Sequence, residues 1–103
     1  MKIIEKLSEM MEEEIKDADK YIECAMKWKE DDVMLSKMFA DLSMDELKHA
    51  MLIHDHTTRL IAEYKSKGNE PPAEMLAVYN YLHEKHLEKF NAIKVKQTVY
   101  RGQ

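Results

Sequence analysis

The first part of the chain carries apolar residues at alternating intervals of three and four positions. These residues are Ile4, Leu7, Met11, Ala18, Tyr21, Ala25 and Trp28. Glu14 fills the gap in the series, so the heptad pattern continues over roughly 25 residues without a helix-breaking residue. The pattern predicts a long bundle helix over about residues 3–29, with the Glu14 carboxylate inside its apolar stripe.

A second stripe with the same spacing indicates another long helix, over about residues 33–67. Its members include Leu35, Met38, Leu42, Ile53, His56 and Leu60. Glu46 and His49 complete this stripe, and residues three positions apart project from the same face of a helix. The sequence therefore places two residues of metal-ligating type in the middle of a face that is expected to point toward the core.

Gly68-Asn69 is suited to end the second helix, and Glu70-Pro71-Pro72 forms a linker before a third helix over about residues 73–100. The apolar-leaning face of this helix comprises Met75, Tyr79, Leu82, His86, Phe90, Ile93 and Tyr100. His83 and His86 share one helix face and could hold a separate ion. A surface histidine pair without a role is the simpler interpretation, and His54, which lies off its stripe, is expected to be solvated.

The short turn before the second helix, which Asp31 or Asp32 is suited to cap, predicts an antiparallel hairpin. Counted from Asp31, Glu14 lies 17 residues before the turn, Glu46 15 after it and His49 18 after it. The three side chains are therefore expected at nearly the same height. Burying a carboxylate and an imidazole is costly unless a partner such as a divalent metal compensates. The alternatives are a chance Glu-x-x-His spacing or a buried polar network that fixes the helix register.

Composition favours a single all-helical domain spanning residues 1–103. Charged residues make up 35% of the chain, and it contains nine Met but only two Gly and two Pro. The net charge of −4 provides no general argument for nucleic-acid binding. The single cysteine, Cys24, excludes an internal disulfide and a Cys-only metal cluster, and it suits a reducing compartment.

We expect a soluble cytoplasmic protein without membrane contact. The chain becomes charged within its first residues, too early for a signal peptide. No apolar run approaches the ~20 residues that are needed to span a bilayer. Three helices would leave a wide apolar stripe of the hairpin uncovered, which favours a homodimer or a larger even-numbered homo-oligomer.

The combination of Glu14, Tyr21, Ala25 and the segment Asp45-Glu46-Leu47-Lys48-His49-Ala50 resembles the first half of a rubrerythrin-like or ferritin-like di-iron carboxylate protein. In that family one helix contributes a Glu and the next a Glu-x-x-His, and a second helix pair repeats the set. The resemblance implies Glu14, Glu46 and His49 as metal ligands. It covers roughly residues 3–65.

The chain departs from the family in having no second Glu plus Glu-x-x-His set downstream and no Cys-x-x-Cys pair. Two associating chains would repair the first gap, as in the short-chain encapsulated ferritins, whose dimers complete the four-helix site. The resemblance then implies two iron ions per dimer, with manganese or zinc as alternatives, and an external electron donor. It is also compatible with residence inside a larger protein compartment, although the C-terminal residues do not clearly resemble a cargo-loading tail.

Two further residues are candidates near this site. Tyr21 lies two helical turns from Glu14 and could hydrogen-bond a ligand or act in electron transfer, although packing at a helix crossing is the simpler role. His56 returns to the stripe ~10.5 Å beyond His49, too far to share its metal. A polar core residue is the favoured interpretation, and a ligand of a second site or a residue on an exit path are the alternatives.

Two functions from different classes follow from the sequence. The first is a ferritin-like protein with an inter-subunit di-iron site that oxidises Fe(II) or reduces oxygen or peroxide. The second is a non-catalytic helical scaffold or interaction protein that retains the fold. Whether the chain is an enzyme of the ferroxidase type is left open at this point.

Overall fold

The computed structural model describes residues 2–102 and contains three α-helices in that range. They are α1 (Lys2–Trp28), α2 (Val33–Ser66) and α3 (Ala73–Gly102). This confirms the all-helical prediction, and the helix ends lie within two residues of the expected ones. The molecule is a rod with extents of 56 × 19 × 17 Å. No helix within residues 2–102 has both the length and the apolar character needed to cross a membrane.

The ends of α2 are set by local chemistry. Asp32 is the N-cap, because its Oδ1 accepts a hydrogen bond of 3.0 Å from the Leu35 amide and so satisfies one of the free N–H groups of the first turn. At the other end, Lys67 donates its amide to the Glu63 carbonyl. Gly68 follows with φ of 81°, a conformation that a residue with a side chain rarely adopts. The predicted cap and stop residues are therefore confirmed.

The α1–α2 interface is built mainly from small residues. On α2 the buried positions are Ser36, Ala40, Ser43, Leu47, Ala50 and Thr57. Ser36 donates its hydroxyl to the Ala25 carbonyl, and Ser43 donates to the Ala18 carbonyl at 2.7 Å. Because these side chains are short, they let the two backbones approach closely enough for direct hydrogen bonds between side chain and main chain.

The predicted stripe of α1 is confirmed at Ile4, Met11, Ala18 and Ala25, which are buried. It is wrong at Glu14 and Tyr21, which lie half-buried at the edge of the stripe, whereas Ile15 and Ile22 are almost completely buried. On α2 the buried residues are the small ones next to the predicted stripe. Glu14 and Glu46 therefore stand at the border of the core.

The second half of α3 completes the core. Phe90 and Ile93 are buried in the cluster formed with the hairpin. Gln97, also buried, donates its amide to the Ser43 hydroxyl at 3.0 Å, and the Tyr100 hydroxyl is 2.8 Å from that of Ser36. α3 is therefore positioned by polar contacts with the same two serines that join α1 to α2.

Candidate metal site

Glu14, Glu46 and His49 come together at the edge of the hairpin. Each offers one ligand atom, and these three atoms lie within 4.8 Å of one another. His49 Nδ1 is 3.5 Å from Glu14 Oε2 and 3.9 Å from Glu46 Oε2. The antiparallel turn places α1 and α2 in the register that counting along the sequence predicts, with the three groups at one height.

The site lies at the surface of the single chain rather than inside it. The Glu46 side chain is 19% exposed and the Glu14 side chain 28%, while His49 is 57% exposed. Burial thus decreases from the carboxylates toward the imidazole, and the His49 side opens to the outside. An ion held by these three groups would have coordination positions open on that side.

The two carboxylates raise the proton affinity of the site. The pKa of Glu46 is raised to about 7, first because its protonated form can share a hydrogen with the Glu14 carboxylate. Burial and the negative charge of Glu14 raise it further, His49 opposes the shift, and Asp17 adds a smaller increase. Near neutral pH the metal-free site therefore holds a proton far more readily than an ordinary glutamate does.

The donor set fits a divalent first-row metal. Glu14 Oε2 is buried and has no hydrogen bond of good geometry within residues 2–102, although His49 Nδ1 lies 3.5 Å from it. A cation bound between these groups would compensate the charge of that oxygen. Mixed carboxylate and imidazole ligation suits iron and manganese, and zinc also accepts such ligands.

Asp17 was not predicted as part of this region. It is half-buried, and its charge acts on Glu46 across the hairpin. The signal was present in the sequence, because Asp17 lies three residues after Glu14 and so shares its helix face. Asp17 is not one of the three candidate ligands, but its negative charge adds to the negative potential at the site.

Tyr21 packs beside Phe39 of α2, with ring centroids 6.3 Å apart and planes inclined by 23°. The Lys20 ammonium lies 5.4 Å from the Tyr21 ring centroid. Tyr21 is therefore in an aromatic packing contact at the helix crossing, the simpler of its two predicted roles, and it is two helical turns from Glu14.

The remaining histidines are distributed differently from expectation. His56 is exposed, so its interpretation as a polar core residue was wrong, and it lies outside the cluster of three ligand residues. His54, expected to be solvated, has a side chain that is only 21% exposed because it stacks on His83 of α3. His86 is buried at 4% exposure, as its place on the apolar-leaning face of α3 predicts. The expectations of a solvated His54 and of a surface His83–His86 pair were wrong because they considered each helix alone, without the packing of α3.

No protein-family model, curated protein or solved structure matches this chain.

Proposed function

We propose that two copies of this chain associate into a four-helix, ferritin-like assembly with a shared two-metal site that oxidises Fe(II). Each chain would contribute Glu14, Glu46 and His49. The observation that carries the proposal is the convergence of these three ligand types, from two helices, within 4.8 Å at the half-exposed edge of the hairpin.

The surroundings of the site support a second copy as the missing half. Apolar side chains continue along α2 on the side of Glu46: Leu35 and Leu42 are half-buried, and Met38 is 45% exposed. Three donors also leave a metal ion under-coordinated. A two-fold axis beside the site would cover the apolar row and double the donor set with identical residues.

The residues suit such a centre chemically. Carboxylates can bridge two cations and neutralise part of their charge, and a neutral imidazole donates one lone pair to each ion as a terminal ligand. Iron held there would supply one-electron redox chemistry, with Fe(II) as the substrate that is oxidised and dioxygen or peroxide as the electron acceptor. Glu46 would release its proton when a metal binds, because the ligand form is the carboxylate.

The decisive experiment combines iron content with mass in solution. Protein incubated with Fe(II) under anaerobic conditions should bind about one iron per chain and elute as a dimer or a larger even-numbered oligomer. Oxygen uptake should follow on admission of air. Glu14→Ala and His49→Ala should abolish binding, while Glu13→Ala should bind as the parent chain does, because Glu13 is exposed beside the site. Iron binding that survives both site variants would refute the proposal.

A second candidate function, a non-catalytic helical scaffold, is favoured by a specific observation. The His49 ring lies 3.5 Å from one carboxylate and 3.9 Å from the other, so the three groups could act as a polar contact that fixes the hairpin register. In that case Glu46→Ala should lower stability in metal-free protein and added metal should change nothing. If the site binds metal instead, adding metal should raise the melting temperature of the parent chain but not that of Glu46→Ala.

A further inference from the structure

α3 is attached to the hairpin unevenly along its length. Its buried residues begin at His86 and continue with Phe90, Ile93 and Gln97. Lys96 adds an ion pair of 2.8 Å with Asp19 of α1. By contrast, residues 73–85 contribute no buried side chain. The first half of α3 can therefore separate from the hairpin at much lower cost than the second half, which belongs to the core.

This first half of α3 lies beside the start of α1, where Ile4 and Ser8 line a groove with Met75 and Leu82, and stacked aromatic rings join it to α2. The His83 ring lies over the His54 ring of α2, with centroids 4.7 Å apart and planes inclined by 23°. The Tyr79 ring lies 5.9 Å from the His83 ring at a similar inclination. Two imidazoles thus stand at the contact between α2 and residues 73–85.

The histidine pair suits neutral rings and disfavours charged ones. His54 Nδ1 lies 3.4 Å from Asp55 Oδ1, whereas His54 Nε2 is buried and has no hydrogen-bond partner in the described part of the chain. A proton added at Nε2 would find no acceptor there. If both rings were protonated, two positive charges would face each other at stacking distance.

We propose that residues 73–85 form an acid-released latch on the hairpin, in which the imidazole of His83, stacked on His54 of α2, is the proton sensor. In neutral solution the rings stack and the segment is docked. In acid a charged His83 ring no longer suits this half-buried contact, the segment detaches, and the second half of α3 stays in place through Phe90, Ile93 and Gln97. The detached segment would expose Tyr79 and the faces of α1 and α2 that it covers.

The charged and titratable groups around the pair do not cancel this effect. Burial and His54 lower the pKa of His83, and Glu84 on α3 offsets only part of that shift. Asp55 on α2 contacts His54 at Nδ1 and leaves Nε2 without an acceptor. Tyr79 remains neutral, because burial raises the pKa of its hydroxyl.

His86 acts in the same direction from the next turn of α3. Burial lowers its pKa most, and Lys89 and His83 lower it further, while Glu12 on α1 opposes them. An imidazole whose pKa is lower in the folded than in the unfolded chain contributes stability above the ordinary value of 6.5. That contribution is lost as the pH falls below 6.5 through the folded-state pKa, so the latch weakens on the acid side.

Hydrogen exchange of the full-length chain, read by segment, tests the latch. Between about pH 7.5 and pH 5.5, and after correction for intrinsic exchange rates, protection of residues 73–85 should fall while that of residues 90–101 changes little. The expected loss is about tenfold for each unit by which the pKa of one imidazole is lowered. A chelator keeps pH-dependent metal release out of the measurement.

His83→Phe keeps a ring for stacking and removes the proton site, so it should abolish most of the pH response. His54→Phe provides an independent second variant, and far-UV circular dichroism checks that both fold. His56→Phe is the matched control, since His56 is exposed on the same helix and should leave the response unchanged. Repeating the experiment with Glu46→Gln removes a carboxyl group outside the latch whose pKa is raised to about 7. An undiminished response in both His83→Phe and His54→Phe, or no response in the parent chain, would overturn the proposal.

Discussion

Glu14 of α1 and His49 of α2 face each other across the hairpin, with Glu14 Oε2 3.5 Å from His49 Nδ1. The contact joins the middle of α1 to the middle of α2, two helices that the chain links through the short turn between them. Its geometry is set by the register of the hairpin, which the Asp32 cap and the small interface residues determine. Glu46 on the next turn of α2 adds the second carboxylate, and the properties of this trio lead to the first two predictions.

Glu46→Gln should stabilise the metal-free protein at alkaline pH. The folded-state pKa of Glu46 is about 7, above its ordinary 4.5, so above pH 7 the folded chain carries a carboxylate that it disfavours. After allowance for partial solvent screening we expect a gain of about 1 kcal/mol at pH 8, decreasing to near zero below pH 4.5. Urea denaturation in chelator at pH 8 and pH 4.5 measures it. Glu13→Gln, beside the site and exposed, should show no such difference.

Metal affinity should rise with pH through neutrality. Because binding requires the carboxylate of Glu46, each metal bound below pH 7 displaces a proton, and affinity should fall about tenfold per pH unit there. Zinc titration by calorimetry in two buffers of different ionisation enthalpy reports the number of protons released. A pH-independent affinity with no proton release would show that Glu46 is not a ligand. His49→Ala should weaken binding at every pH.

Ser43→Ala should destabilise the fold through two helices at once. The Ser43 hydroxyl donates to the Ala18 carbonyl and accepts from the Gln97 amide, and all three residues are buried. Removing the hydroxyl leaves the Gln97 side-chain amide without its acceptor and the Ala18 carbonyl without this donor. We expect a cost of about 1–3 kcal/mol in the free energy of unfolding.

Adding Gln97→Leu to Ser43→Ala should recover part of that loss, because the orphaned amide is then gone. A double-mutant cycle by urea denaturation gives the coupling between the two residues. Thr98→Ala, at an exposed position next to Gln97, should change stability little. Independent, additive effects of the two core substitutions would contradict the bond between them.

Lys96→Met should weaken the docking of α3 in a salt-dependent manner. Lys96 Nζ lies 2.8 Å from Asp19 Oδ1 and 2.7 Å from Glu23 Oε1, and these two acids raise its pKa. Since the lysine is partly exposed, the expected loss is only about 0.5–1 kcal/mol, and high salt should reduce the difference. Lys94→Met is the control, because Lys94 is exposed two residues away. An equal loss in both variants would assign the effect to general charge rather than to this ion pair.

Local sequence signals were sufficient to predict the three helices and where they end. Asp32, Gly68 and the Pro71-Pro72 pair act through their own backbone preferences and nearby hydrogen bonds, so their effects can be predicted without knowledge of the fold. Counting residues on both sides of the turn was also sufficient to predict that Glu14, Glu46 and His49 share one height. That prediction needed only the constant rise of the α-helix and an antiparallel pairing.

The arrangement of the histidines could not be predicted in this way. The environment of His54 depends on His83, which belongs to another helix, and the burial of His86 depends on how α3 lies against α1 and α2. A helical pattern defines which residues share a face, but it does not define which neighbour that face meets. The docking of α3 decided both environments, through buried contacts far apart in the sequence.

The sequence by itself determined three long helices, a hairpin and the height of a carboxylate–imidazole cluster, because these follow from short-range geometry. Only the tertiary structure decided that Ile15 and Ile22, rather than Glu14 and Tyr21, complete the buried face of α1. Tyr21 and Ile22 are both apolar, so periodicity alone could not choose between them. Close approach of the backbones over Ala18, Ser43 and their small neighbours favoured Ile22, and the ligand cluster was left at the edge of the core.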